Sequence, residues 1–270
     1  MKKLDKLISY ITKEFATKPK TEVVVGKNLN DLETLRLAAY DRVSHVIQEE
    51  HEDLNSRIQA SINIIKTPYS IFEKTFETVF FEEENLGGKP KQIHQLELPF
   101  HSSSQKMSVL GHAETFLKAH KISTTLRDRV VLVCDELFTN ALFNAPLERS
   151  GKTIGRSQQV HLNDEFANIL KLGIFGDKLA VVCQDKFGSL NTKKYIKHLI
   201  SKHDTNGENL INMSDDGGAG IGSLLMYGYC QSMYLGVKED QETLFCFVFS
   251  TDRKKNCTTN QPKSIHLATP

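Results

Sequence analysis

Residues 130–145 read VVLVCDELFTNALFNA. On a helix, Val130, Cys134, Leu137, Phe138 and Ala141 form a single apolar stripe, the spacing that turns a helix toward a core. Glu136, Asn140 and Asn144 recur every four residues and stack along the edge of that stripe. A carboxylate and two carboxamides in such a line suit a solvated helix face. They equally suit a binding site, with the carboxylate as a base and an amide carbonyl as a hard oxygen ligand. Mg²⁺ takes few protein ligands of that kind and relies on substrate phosphates for the rest.

Two later stretches bear on the choice. In AVVCQDKFGSLN, residues 180–191, an apolar strand ends at Asp185 and Gly188 follows. A strand-ending Asp is common in turns. Placed at the floor of a pocket, it would instead accept a hydrogen bond from the amino group of a base and reject analogues that lack one. In SDDGGAGIGSLLMYGYC, residues 214–230, four glycines crowd positions 217 to 222 and an apolar, helix-like run begins at once. Bare backbone at a helix N-terminus serves a turn, or it serves an anion, since free N–H groups and the helix dipole both favour negative charge there.

The order of these pieces is more specific than any one of them: E-x-x-x-N on a helix, a strand ending in D-x-x-G, a polar segment, then G-x-G-x-G opening a helix. Over about residues 95–250 this resembles the GHKL ATPase superfamily, the Bergerat fold shared by DNA gyrase, MutL, sensor histidine kinases and anti-sigma-factor serine kinases. The resemblance implies ATP and Mg²⁺ as cofactors. It makes Glu136 the general base and Asn140 the Mg²⁺ ligand, with Asn144 also in the site. It puts Asp185 on the adenine amino group with Gly188 in the turn behind it, and Thr243 in the last strand beside the adenine. Gly218, Gly220, Ile221 and Gly222 would lie along the phosphates, and residues 189–216 would form an ATP lid. Histidine kinases usually show D-x-G-x-G, whereas here the glycine comes one position later and the second is absent. NALFNA is nearer the anti-sigma type, although Asn144 stands where those kinases often have histidine.

The chain around these motifs has 270 residues, 39% hydrophobic and 25% charged, with a formal net charge of +1. That is ordinary for a globular protein, and it provides no global field to draw in nucleic acid or an anionic membrane. No apolar run reaches the roughly 18 residues of a membrane span, and the N-terminus lacks the pattern of a signal peptide. The five cysteines are widely spaced, as expected of free thiols in a reducing cytoplasm.

Residues 1–90 read as helical. From Leu35, apolar residues recur through Ala39, Val43, Val46, Ile47, Leu54, Ile58, Ile62 and Ile65 at helix spacing, Pro68 should end or kink that helix, and Phe72, Phe76 and Phe80 offer a second stripe. This predicts a helical hairpin or bundle that self-associates or binds a partner, a linker at NLGGKP (85–90), an ATP-binding domain at 91–252 and a polar tail at 253–270. The expected fold class is α+β, a mixed sheet with helices on one face.

Three functions follow: a cytoplasmic kinase of anti-sigma-factor (serine/threonine) type acting on a regulatory protein partner, a histidine kinase with His51 as acceptor, or a non-catalytic nucleotide-dependent binding module. His51 falls on the apolar stripe, where a packed structural role is the expectation.

Overall fold

The hairpin at Gly176–Asp177 sets the middle of the molecule. Gly176 has φ +59°, a left-handed conformation that glycine adopts without cost. Phe175 pairs directly with Lys178, so strands β4 (Asn168–Phe175) and β5 (Lys178–Asp185) are joined by two residues. The computed structural model describes residues 22–80, 92–146, 159–204, 221–252 and 261–269. Upstream of the hairpin lie β1 (Glu22–Gly26), α1 (Asp31–Ala38), β2 (Val43–Gln48), α2 (Leu54–Lys66), the short α3 (Ser70–Glu73) and α4 (Thr75–Val79), β3 (His94–Phe100), α5 (Lys106–Ala119) and α6 (Thr124–Thr139). Downstream come α7 (Thr192–Asp204), α8 (Ile221–Tyr229), β6 (Ser232–Lys238), β7 (Glu242–Ser250) and β8 (Ser264–Ala268).

The strands make a single mixed sheet in the order β1-β2-β8-β6-β7-β5-β4-β3. The α+β class is therefore as expected. Helices, however, cover both faces. Leu179, Val181 and Cys183 of β5 point into a core shared with α1, α5, α6, α7 and α8. Their neighbours Ala180 and Val182 point the other way, into a core with α2, α3 and α4. All eight residues of β5 are buried, as a strand covered on both sides must be.

The described residues 22–80 correct the helical hairpin predicted over 1–90. Its long stripe is broken into helix α1, strand β2 and helix α2, and β1 and β2 extend the same sheet. Asn30 starts α1 with a capping box, its Oδ1 accepting from the Glu33 N–H at 2.9 Å while Glu33 accepts in return from the Asn30 N–H. The helix stops at Ala38, and the β-branched Val43, Val46 and Ile47 enter the sheet. Pro68 acts as expected, since α2 ends at Lys66. Phe72, Phe76 and Phe80 do form an apolar stripe, but it covers the sheet. A Cβ on Gly173 would come within 2.5 Å of the Phe76 ring, and one on Gly236 within 2.9 Å of Phe72. Those two glycines are flat seats for the rings.

The polar tail is corrected too: Ser264–Ala268 is a fully buried strand, antiparallel to β2 and parallel to β6. The linker at 85–90 lies outside the described residues.

Where β2, β8 and α2 meet, polar groups are buried together. His266 Nδ1 lies 3.3 Å from His45 Nδ1 and 3.1 Å from Ser61 Oγ. Arg57 donates to the Tyr234 hydroxyl at 2.6 Å. His51, only 4% exposed, is 3.2 Å from Ser232 Oγ through Nε2 and accepts from the Asp53 N–H through Nδ1. Burial holds these rings neutral, pushing His45 down to about 3 and His51 to about 4, with His266 lowered in the same direction. In the unfolded chain they take up protons from about pH 6.5, so stability is lost as pH falls below that value. Asp185 and Asp31, both raised, offset part of the loss. The expected result is a melting temperature roughly 10 °C lower at pH 5 than at pH 7. Thermal melts across that range check it, and a flat profile would contradict neutral burial of the histidines.

Candidate functional site

The site begins with an irregularity. At Asn140–Asn144 helix α6 passes into one π-helical turn, a distortion that recurs at functional sites because it re-aims side chains. Side chains from other elements reach carbonyls in and just after this turn: Asn168 Nδ2 donates to Ala141 O at 3.4 Å, and Ser189 Oγ donates to Ala145 O at 3.0 Å. Asn144 Nδ2 donates to Asn140 Oδ1 at 2.7 Å, which leaves that oxygen a second lone pair.

Glu136, Asn140 and Asn144 line a cavity of about 250 Å³, and Asp185 and Thr243 line the same cavity. Asp185 is the last residue of β5 and pairs in register with Thr243 of β7. The Phe187 N–H donates to Asp185 Oδ1 at 2.9 Å. Burial pushes the Asp185 carboxyl up to about 6, opposed first by that hydrogen bond to its charged form. Thr243 is close enough to favour the Asp185 charge, yet its buried hydroxyl makes no hydrogen bond of good geometry among the described residues. Gly188 has φ +59°, and a Cβ there would meet the Lys238 carbonyl at 2.1 Å. Only glycine lets this turn run so close to the β6–β7 hairpin.

Gly222 opens α8 directly against Glu136. A Cβ at that position would fall 2.1–2.4 Å from the Glu136 carboxyl atoms. Ile221 is the first residue of α8, while Gly218 and Gly220 lie outside the described residues. The Glu136 side chain is flexible at its far end, so Gly222→Ala is expected to push the carboxylate aside and leave the fold intact. The variant should melt within a few degrees of the native protein. Any nucleotide turnover should drop on the order of 10²-fold, the cost of misplacing a catalytic group by about 1 Å. Assays of both quantities check this, and unchanged turnover would remove Glu136 from the chemistry.

The expected lid at 189–216 is corrected in its first half. Asn191 starts α7 by accepting from the Lys194 N–H at 2.8 Å, and Ile196 and Leu199 are buried in the core. The second half lies outside the described residues. Helix α7 supplies a wall that the sequence reading missed: Lys194, Tyr195 and His198, with Tyr195 edge-on to Phe245 at 5.4 Å. The only sequence signal was the four-residue spacing of Lys194 and His198 on a helix candidate. Ser223, in the first turn of α8, completes this side. Burial pushes the Cys134 thiol up to about 12 and that of Cys183, which lines the cavity, well above its ordinary value.

Among the described residues no group of three or more His, Cys, Asp or Glu side chains could hold a metal. A single amide carbonyl at Asn140 beside an open cavity fits Mg²⁺ carried in by phosphates. No helix among the described residues is long and apolar enough to cross a membrane.

No protein-family model matches the chain, and no curated protein matches it. Among solved structures it is similar to the SiaB–SiaC complex from Pseudomonas aeruginosa, at 12% identity and a TM-score of 0.42, over 71% of this chain and 99% of that one. A likeness that weak carries no argument.

Proposed function

We propose that the cavity binds an adenine nucleotide with Mg²⁺, and that the chain is a regulatory protein kinase of GHKL type acting in the cytoplasm on a serine or threonine of a partner protein. One observation carries the reading: Glu136 and Asn140 of the first motif and Asp185 of the second, about fifty residues apart in sequence, line a single cavity, together with Asn144 and Thr243, which the resemblance adds.

The roles follow from placement. Asp185 accepts a hydrogen bond from the adenine amino group, and the Thr243 hydroxyl supplies the adjacent polar contact. Leu137, Ala141 and Phe245 give the base an apolar slot. Asn140 holds Mg²⁺ through its free lone pair; the ion, when bound, neutralises phosphate charge. Glu136, at the opening of α8, orients and deprotonates the attacking hydroxyl. Phosphoryl transfer demands mainly such positioning and electrostatic stabilisation. The alternative with His51 as phosphoacceptor is disfavoured by its burial, with both ring nitrogens engaged.

The test is incubation with γ-labelled ATP and Mg²⁺, with and without candidate partner proteins. Acid-stable label on a partner is the expected result. Acid-labile label on the chain itself would indicate a histidine kinase. Bound nucleotide without transfer would indicate a nucleotide-dependent binding module, and no bound nucleotide would contradict the reading entirely.

A further inference from the structure

We infer that Lys263 is a positioning residue for the cavity: from the far end of α8 it fixes where the start of that helix stands against Glu136 and the ligand's phosphates. This rests on the nucleotide reading of the cavity, which Lys263 itself does not line.

Lys263 is 1% exposed, and its ammonium donates to the Tyr227, Gly228 and Cys230 carbonyls at 3.1, 3.2 and 2.9 Å. An ammonium has three hydrogens, and these three carbonyls at the end of α8 take them all. Asp31 Oδ2 lies 3.7 Å away and the Tyr227 ring 5.1 Å, while the Tyr227 hydroxyl donates to the Asp31 carbonyl at 3.2 Å. The backbone beneath the lysine is held by the sheet. Its carbonyl accepts from the Gln48 N–H of β2 at 3.0 Å, and the Ser264 N–H donates to the Gln231 carbonyl, just past α8, at 2.9 Å. The C-terminal end of α8 is thus tied to β2, β8 and α1 at once.

A helix end can be closed by a glycine turn alone. A buried lysine costs more to place, and here it does two further things. It sets a positive charge at the negative end of the helix dipole. It also stops α8 from sliding along its axis. The helix has nine residues, about 13 Å, between this tie and the cavity. At the cavity end the clearance is small, since a Cβ on Gly222 would run into the Glu136 carboxyl. A slip of about 1 Å would press the backbone on that carboxylate or draw the first N–H groups away from phosphate, and misplacement on that scale is costly in a site.

Calorimetric titration of the full chain with adenosine, and with ATP and Mg²⁺, tests this on the native protein and on Lys263→Met, with hydrogen exchange over Ser223–Tyr229 recorded for both. Methionine fills the same slot without the charge or the donors. The affinity for ATP is expected to fall about 10- to 30-fold in the variant, with adenosine within about 2-fold of native and exchange in α8 faster. Should Lys263→Met not fold, Asp31→Asn takes its place. That side chain is 25% exposed, and its neutralisation is expected to weaken ATP about 3-fold and leave adenosine unchanged. Faster exchange with both ligands bound at native strength would reduce Lys263 to a helix cap and overturn the inference. Equal losses of ATP and adenosine would overturn it too, since the effect would then be a general loosening of the cavity. A native protein that binds neither ligand would overturn the nucleotide reading itself.

Discussion

Asp185→Asn is expected to lower the affinity for ATP by about 30- to 1000-fold, the worth of roughly 2–4 kcal/mol for a buried, charge-assisted hydrogen bond. The asparagine keeps the shape of the side chain and an oxygen for the Phe187 N–H, so the fold should survive. What it loses is the negative charge facing the ligand. The pH profile adds a signature that a merely structural residue would not give. With its carboxyl raised to about 6, Asp185 in the free protein is half protonated near that pH. A ligand that needs the carboxylate must displace this proton. Affinity should therefore be flat above about pH 7 and weaken as pH falls through 6, and the part of the dependence due to Asp185 should vanish in the variant. Titrations of both proteins at pH 5.5, 6.5 and 7.5 check this, and equal affinities would place Asp185 outside the site.

The second large effect concerns chemistry. Glu136→Ala should leave nucleotide affinity within a few-fold of native and reduce hydrolysis or transfer by about 10²- to 10⁴-fold, the usual range for general-base help. The carboxylate sits against Gly222 at the N-terminal end of α8, where the helix dipole favours a negative group. Its removal should therefore also cost some stability of α8, visible as faster hydrogen exchange over Ser223–Tyr229. Retained turnover in Glu136→Ala would reduce the residue to that local role.

Side chains held together by short-range spacing were legible in the sequence. Glu136, Asn140 and Asn144 share a helix line, and Asp185 announces itself by ending an apolar strand before a glycine. The seat of Gly222 against Glu136 was not legible, because it depends on how α8 docks on α6. Strand β2 was hidden for a different reason. It is buried on both faces, so Val43, Val46 and Ile47 show no alternation and fall in phase with the helical stripe around them. Strand β8 is five residues long between polar flanks; β2 and β6 pair with its two edges, and all five residues are buried. Its ordering owes much to Lys263, fully buried, which donates to the Tyr227 and Cys230 carbonyls at 3.1 and 2.9 Å and so caps α8. Nothing local in QPKSIHLA reports a contact made with a helix more than thirty residues away.

Base discrimination tests the contact between Asp185 and the ligand. In the proposed function a carboxylate at Asp185 would accept from the 6-amino group of adenine, whereas hypoxanthine presents a carbonyl oxygen there and would set two acceptors face to face. Titration of the full chain with Mg²⁺ and either ATP or ITP, identical in sugar and phosphates, isolates that contact. The expected result is one saturable site that prefers ATP by at least about 10-fold, with the preference abolished in Asp185→Asn. Equal binding of the two nucleotides, or no binding of either, would contradict the assignment of the cavity.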